Sequence, residues 1–91
     1  MLDVRSEAEW NTGHIPGSVH RFLGDLPERS QEMQRRQPIV VFCQTGTRSS
    51  IAASLLRARG FEDVTNFPGG VAEWQRSGFA VEAGEVSADS H

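Results

Sequence analysis

The run Ile39-Val40-Val41-Phe42-Cys43, followed at once by the polar loop Gln44-Thr45-Gly46-Thr47-Arg48-Ser49, constrains the fold more than any other segment. β-Branched and aromatic residues without polar alternation suit a strand covered on both faces, and such strands belong to parallel sheets flanked by helices. From Arg48 the pattern turns helical, with Ile51, Ala52, Leu55 and Leu56 on one face. Arg57 and Arg59 stand near its C-terminal end, where cations suit the dipole, and Gly60 fits the residue just beyond.

The rest of the chain repeats this alternation and predicts an α/β domain with a mainly parallel sheet. Met1–Val4 reads as a short strand. Ser6-Glu7-Ala8-Glu9 matches a capping box that opens a helix carrying Trp10. Gly13-His14-Ile15-Pro16-Gly17 breaks that helix, and Ser18–Phe22 returns as a second strand. Asp25-Leu26-Pro27-Glu28 offers an N-cap and a first-turn proline, which predicts a polar helix ending before Pro38. Val64–Phe67 reads as a fourth strand, Pro68-Gly69-Gly70 as a tight turn, and Val71–Ser77 as a last helix stopped by Gly78. The expected domain is 1–82, with a flexible tail over 83–91.

Composition excludes several functions. A length of 91 residues allows one domain with one core. All nine bases are arginine, so no lysine is present for Schiff-base chemistry or a phosphate-loop lysine. A net charge of −3 argues against nucleic acid as a partner. The single cysteine cannot form an internal disulfide, which points to a free thiol in a reducing compartment, the cytoplasm. His14, His20 and His91 lack zinc-site spacing, and neither a membrane span nor a signal peptide is visible.

The chemistry belongs to the loop. Cys43 closes the most buried strand, so it falls at the carboxyl edge of the sheet, where open α/β folds bind ligands. By position alone, a cysteine there is an inert core residue. The following loop reverses that reading, because its residues have little structural purpose in that order. Backbone amides of Gln44 to Ser49, together with the helix N-terminus, can form an anion-binding cup. Gly46 frees the backbone, and Thr45, Thr47 and Ser49 add hydroxyls. Such surroundings lower a thiol from its usual value of about 8.5 and favour the nucleophilic thiolate. Arg48 in the first helical turn opposes the dipole at a cost of about 0.3–1 kcal/mol, which suits a guanidinium reserved for an anionic substrate. The other polar positions read as structural: His14 as a hydrogen-bonded turn residue, Asp3 and Arg5 as a pair tying loops together, the Glu-rich helix starts as caps, and Trp10 and Trp74 as core anchors.

Three blocks together resemble the rhodanese (sulfurtransferase) family: Leu2-Asp3-Val4-Arg5 with Glu9-Trp10 and Gly13-His14-Ile15-Pro16-Gly17-Ser18; Ile39–Cys43 with the Gln44–Ser49 loop; and Val64-Thr65-Asn66-Phe67-Pro68-Gly69-Gly70 with Trp74. The resemblance implies a three-layer α/β/α fold. The chain departs from the family in lacking the edge strand and helix expected before Leu2, so either the sheet makes do with about four strands or the chain is the end of a longer protein. The resemblance also implies that Cys43 takes sulfane sulfur from thiosulfate or a persulfide and passes it to a thiol or cyanide. In that scheme the amides of Gln44, Thr45, Gly46, Thr47 and Ser49 hold the persulfide, Arg48 helps bind the anionic donor, and no metal or organic cofactor takes part. The alternatives are a persulfide carrier or regulatory module without rapid turnover and, less favoured, a phosphatase or arsenate reductase. Phosphatases of this fold place one residue more between cysteine and arginine than Gln44-Thr45-Gly46-Thr47, giving a wider cup. The Ser6–Gly17 and Cys43–Ser49 segments also resemble the C-terminal domain of metallo-β-lactamase-fold/rhodanese fusions. An exposed sheet edge would invite dimerisation.

Overall fold

The computed structural model describes residues 1–83. The tail expected over 83–91 therefore lies, from residue 84 onward, outside the described residues, as does His91. Four strands, β1 (Leu2–Asp3), β2 (Val19–His20), β3 (Ile39–Phe42) and β4 (Val64–Asn66), form one sheet in the order β2-β1-β3-β4. Every pairing is parallel, with Leu2 opposite Val19 and Val41, and Val40 opposite Thr65. The helices are α1 (Glu7–Thr12), α2 (Leu26–Arg29), α3 (Thr47–Ala58) and α4 (Gly70–Arg76). Among the described residues no helix is long and apolar enough to cross a membrane.

Side chains that alternate along β3 divide the core into two layers. Val41 and Cys43 point to one face, where Leu2, Val4, Leu26, Ala52, Ala53, Leu56 and Phe61 bury the α2 and α3 side. Phe42 points to the other, against Ile15 and Val71, with Phe67, Trp74 and Val81 around them. A shift of one residue in β3 would exchange these faces and turn Cys43 away from α3.

The start of α1 and the end of α3 follow the sequence signals closely. The Ser6 hydroxyl accepts from the Glu9 N–H at 3.2 Å, and the Glu9 carboxylate accepts from the Ser6 N–H at 3.1 Å, completing the capping box. At the end of α3, Gly60 takes φ +93°, its N–H donates to the Arg57 carbonyl, and the Phe61 N–H donates to Leu56. This is a Schellman ending, and it is why glycine stands there.

Two expectations are corrected. The polar helix before Pro38 is only the four residues of α2 between 3-10 turns at Leu23–Asp25 and Ser30–Glu32. Asp25 gives no side-chain cap, and the Ser30 hydroxyl bonds back to the Pro27 carbonyl at 3.0 Å, a local bond that competes with helix propagation. Ile51 is not on the buried face of α3 but 55% exposed; the buried positions are Ser49, Ala52, Ala53 and Leu56. The small buried residues allow α3 to approach the sheet closely.

Candidate active site

Cys43 follows β3 directly, and its side chain is 1% exposed. Gly46 sits at the N-cap of α3 with φ +110°, a left-handed conformation that folds the loop back over the sulfur. The Gly46 N–H donates to Sγ at 3.0 Å and the Ser49 N–H at 3.4 Å. The Cys43 thiol lies 3.6 Å from the Ser49 hydroxyl oxygen, which can accept its proton. Burial raises the thiol pKa, but hydrogen bonds from the Ser49 hydroxyl and from the amides of Ser49, Gly46 and Thr45 outweigh it and bring the thiol below its ordinary value. Two amides at the start of α3, those of Gly46 and Ser49, therefore serve the sulfur.

The rest of the loop is divided between this cup and the scaffold. The Gln44 side chain faces away: its Oε1 accepts from Arg5 Nη1 at 3.1 Å, and its carbonyl accepts from the Ala72 N–H at 3.0 Å. Thr45 and Thr47 have exposed side chains, and the Thr47 carbonyl accepts from the Ser50 hydroxyl at 2.9 Å. Arg48 is bound by Glu9, Nη1 to Oε1 at 2.6 Å and Nη2 to Oε2 at 2.8 Å. This bidentate bond holds the Glu9 carboxyl down to about 2. Glu9, read from sequence only as a cap, thus also compensates the first-turn cation. The charge that the sequence left available for a substrate anion has an internal partner.

A second wall comes from the turn between β4 and α4. The Val71 N–H donates to the Cys43 carbonyl at 2.9 Å. Gly70, at φ +59°, packs so closely that a Cβ would collide with the Cys43 carbonyl and lie 2.7 Å from that of Gln44. A Cβ on Gly46 would likewise strike the Pro68 carbonyl. Asn66, at the end of β4, accepts from the Ser49 hydroxyl at 2.6 Å. The sequence reading took Gly70 only as part of a tight turn and gave Asn66 no part in the site. The one available signal was a polar residue at the carboxyl end of a parallel strand, where ligand sites lie.

Behind the loop, Asp3 and Arg5 form a buried pair, with Nη2–Oδ2 at 2.8 Å and both carboxylate oxygens 3.0 Å from Nε. Arg5 also donates to the Gly13 carbonyl at 2.7 Å, so this one guanidinium joins β1, the end of α1 and the cysteine loop. His14 is fully buried, stacked on Trp10 with ring centroids 3.5 Å apart, its Nδ1 3.0 Å from the Trp10 carbonyl. Trp10 is buried between His14 and His20, whereas Trp74 is only half-buried and donates to the Ala80 carbonyl. The cleft lined by Ser6, His20, Arg21 and Arg29 lies at the ends of β1 and β2 and does not include Cys43.

Residues 1–77, which include the cysteine loop, match the rhodanese-like domain. The chain belongs to the rhodanese-like domain family. The "Putative sulfur carrier protein YrkF" of Bacillus subtilis is 38% identical over 74 residues, 81% of this chain and 40% of that protein. The "Thiosulfate sulfurtransferase GlpE" of Pseudoalteromonas translucida is 37% identical over 75 residues, 82% of this chain and 71% of that one. Among solved structures, the rhodanese-like domain of the Anabaena protein Alr3790 superimposes with a TM-score of 0.82 at 35% identity, covering 89% of this chain and 94% of that domain. This rhodanese-like chain thus spans less than half the length of YrkF, while it covers most of the Anabaena domain.

Proposed function

We propose that this rhodanese-like chain is a sulfurtransferase in which Cys43 carries the transferred sulfur. The observation that carries the reading is the convergence of the Gly46 and Ser49 amides on Cys43 Sγ, at 3.0 and 3.4 Å. Those donors favour a thiolate, which is the nucleophile, and the same cup can hold a terminal persulfide sulfur. The thiolate attacks the outer sulfur of thiosulfate; a new S–S bond forms, the bond to the sulfonate sulfur breaks, and sulfite leaves with the electron pair. An acceptor thiolate then attacks the outer sulfur of the Cys43 persulfide, forming its own persulfide and returning the Cys43 thiolate. Cyanide in the same position leaves as thiocyanate. Anion binding falls chiefly to the loop amides, with Arg48 held at the rim by Glu9. The smaller loop and the committed guanidinium both disfavour a phosphatase, which needs its arginine on the phosphate.

Incubation with thiosulfate followed by intact mass spectrometry tests the first half-reaction, with an expected gain of about 32 Da, one sulfur atom, on Cys43. Thiocyanate or persulfide production over many turnovers tests the second. Both are lost in Cys43→Ala; full transfer activity in that variant overturns the proposal. The near-complete burial of the sulfur and the likeness to YrkF favour a second reading, a carrier that loads sulfur and releases it only to a protein partner. Stable loading without turnover by small thiols would select it.

A further inference from the structure

The Ser49 hydroxyl has one proton and three acceptors within reach. It lies 2.6 Å from Asn66 Oδ1, 3.1 Å from the Gly46 carbonyl and 3.6 Å from Cys43 Sγ. While Cys43 is a thiol, its S–H donates to Ser49 Oγ and the Ser49 proton goes to Asn66. A thiolate has no proton to donate and needs one, so the chain of hydrogen bonds must reverse. A side-chain amide is suited to this, because half a turn about its last torsion replaces the acceptor oxygen by a donor NH2 at the same place.

We propose that Asn66 is a positioning residue that acts on Cys43 through Ser49, turning its oxygen to the Ser49 hydroxyl when the sulfur is protonated and its NH2 when the sulfur is anionic. On ionisation the thiol proton leaves to water, the Ser49 hydroxyl swings to the sulfur, and Asn66 Nδ2 donates to Ser49 Oγ. Without Asn66, the Ser49 hydroxyl falls back on the Gly46 carbonyl, the ordinary backward bond of serine in a helix, and is lost to the sulfur. The charged groups around the thiol are already committed: Arg48 from α3 to Glu9 of α1, and Asp3 of β1 to Arg5. Residues 64–72 contribute no ionisable side chain, and Glu73 and Arg76 of α4 pair with each other. The inference extends the proposed role of Cys43, but its readout does not need sulfur transfer.

The test is the pH dependence of iodoacetamide alkylation of Cys43 in the wild-type chain, Asn66→Leu, Ser49→Ala and the double variant, with circular dichroism as the check on folding. Asn66→Leu changes no charge. It is expected to raise the alkylation midpoint by about one pH unit, or about tenfold less thiolate at a fixed pH below both midpoints. In the Ser49→Ala background the same substitution is expected to move it by less than about a third of that. Should Asn66→Leu fail to fold, Asn66→Asp, which can only accept, should raise the midpoint more in wild type than in Ser49→Ala. A through-space charge effect would act alike in both. Unchanged midpoints, or equal shifts in the two backgrounds, overturn the proposal. Loss of sulfur transfer with the alkylation pattern intact would instead count against the proposed function alone.

Discussion

Glu9 and Arg48, 39 residues apart in sequence, meet in a bidentate ion pair of 2.6 and 2.8 Å that ties the start of α1 to the start of α3. The pair brackets the cysteine loop and stabilises a guanidinium otherwise placed against the helix dipole. Its acid limb is testable. The Arg48 hydrogen bonds lower Glu9 from 4.5 to about 2, so its stabilisation is complete above about 4.5 and disappears as the pH falls through about 2. Both side chains are about one-third exposed, which limits the contribution to about 0.2–1 kcal/mol. Glu9→Gln should flatten the urea-denaturation profile between those two pH values. An acid limb as steep as that of the wild type would refute the assignment.

Ser49→Ala removes the hydroxyl that faces the sulfur while keeping the Ser49 amide. Burial, the largest influence, then raises the thiol against fewer opposing hydrogen bonds, so the Cys43 midpoint should rise. Thiolate absorbance near the ultraviolet edge measures it. Because the folded thiol is lowered, its stabilising contribution is present above the ordinary thiol value of about 8.5 and is lost as the pH falls through the folded value. Cys43→Ala should abolish that alkaline gain, and persistence of the gain would point to another group.

Gly70→Ala should cost more than about 2 kcal/mol, since left-handed strain of about 1–2 kcal/mol adds to a collision with the Cys43 and Gln44 carbonyls. Gly17→Ala supplies the comparison: φ is +83° there, yet nothing lies within 4 Å of the added Cβ. Thermal melts should therefore show the larger drop for Gly70→Ala. Equal drops would mean that backbone strain alone matters.

Asp3→Ala leaves the Arg5 guanidinium buried with only the Gly13 carbonyl and Gln44 Oε1 as acceptors. Breaking a buried pair from one side costs about 3–5 kcal/mol, enough to unfold a domain of this size under mild denaturant. A midpoint within error of wild type would show that water reaches this pair in solution.

Much of the framework was legible because it is local. The capping box at Ser6, the Schellman glycine at Gly60 and the apolar run of β3 depend on residues within one turn or one strand. The strand pattern also places Cys43 at the sheet's carboxyl edge, and Gly46 signals the turn that follows. Where local rules misled, a competing bond or burial explains it. Ser30 bonds back to Pro27 and shortens α2, and the closeness of α3 to the sheet favours Ala53 over Ile51 on its inner face.

The sequence by itself determined the alternation of strands and helices, the position of the single thiol and the polar cup beside it, because each arises from neighbours in the chain. Only the tertiary structure decided which groups brace the loop around that thiol. Parallel pairing of β1 and β4 on either side of β3 brings Arg5 to Gln44 and Asn66 to Ser49, while the α1–α3 contact gives Arg48 to Glu9. No periodicity encodes such pairings. They follow from which strands lie side by side, and that is settled by burial of the whole core rather than by any one segment.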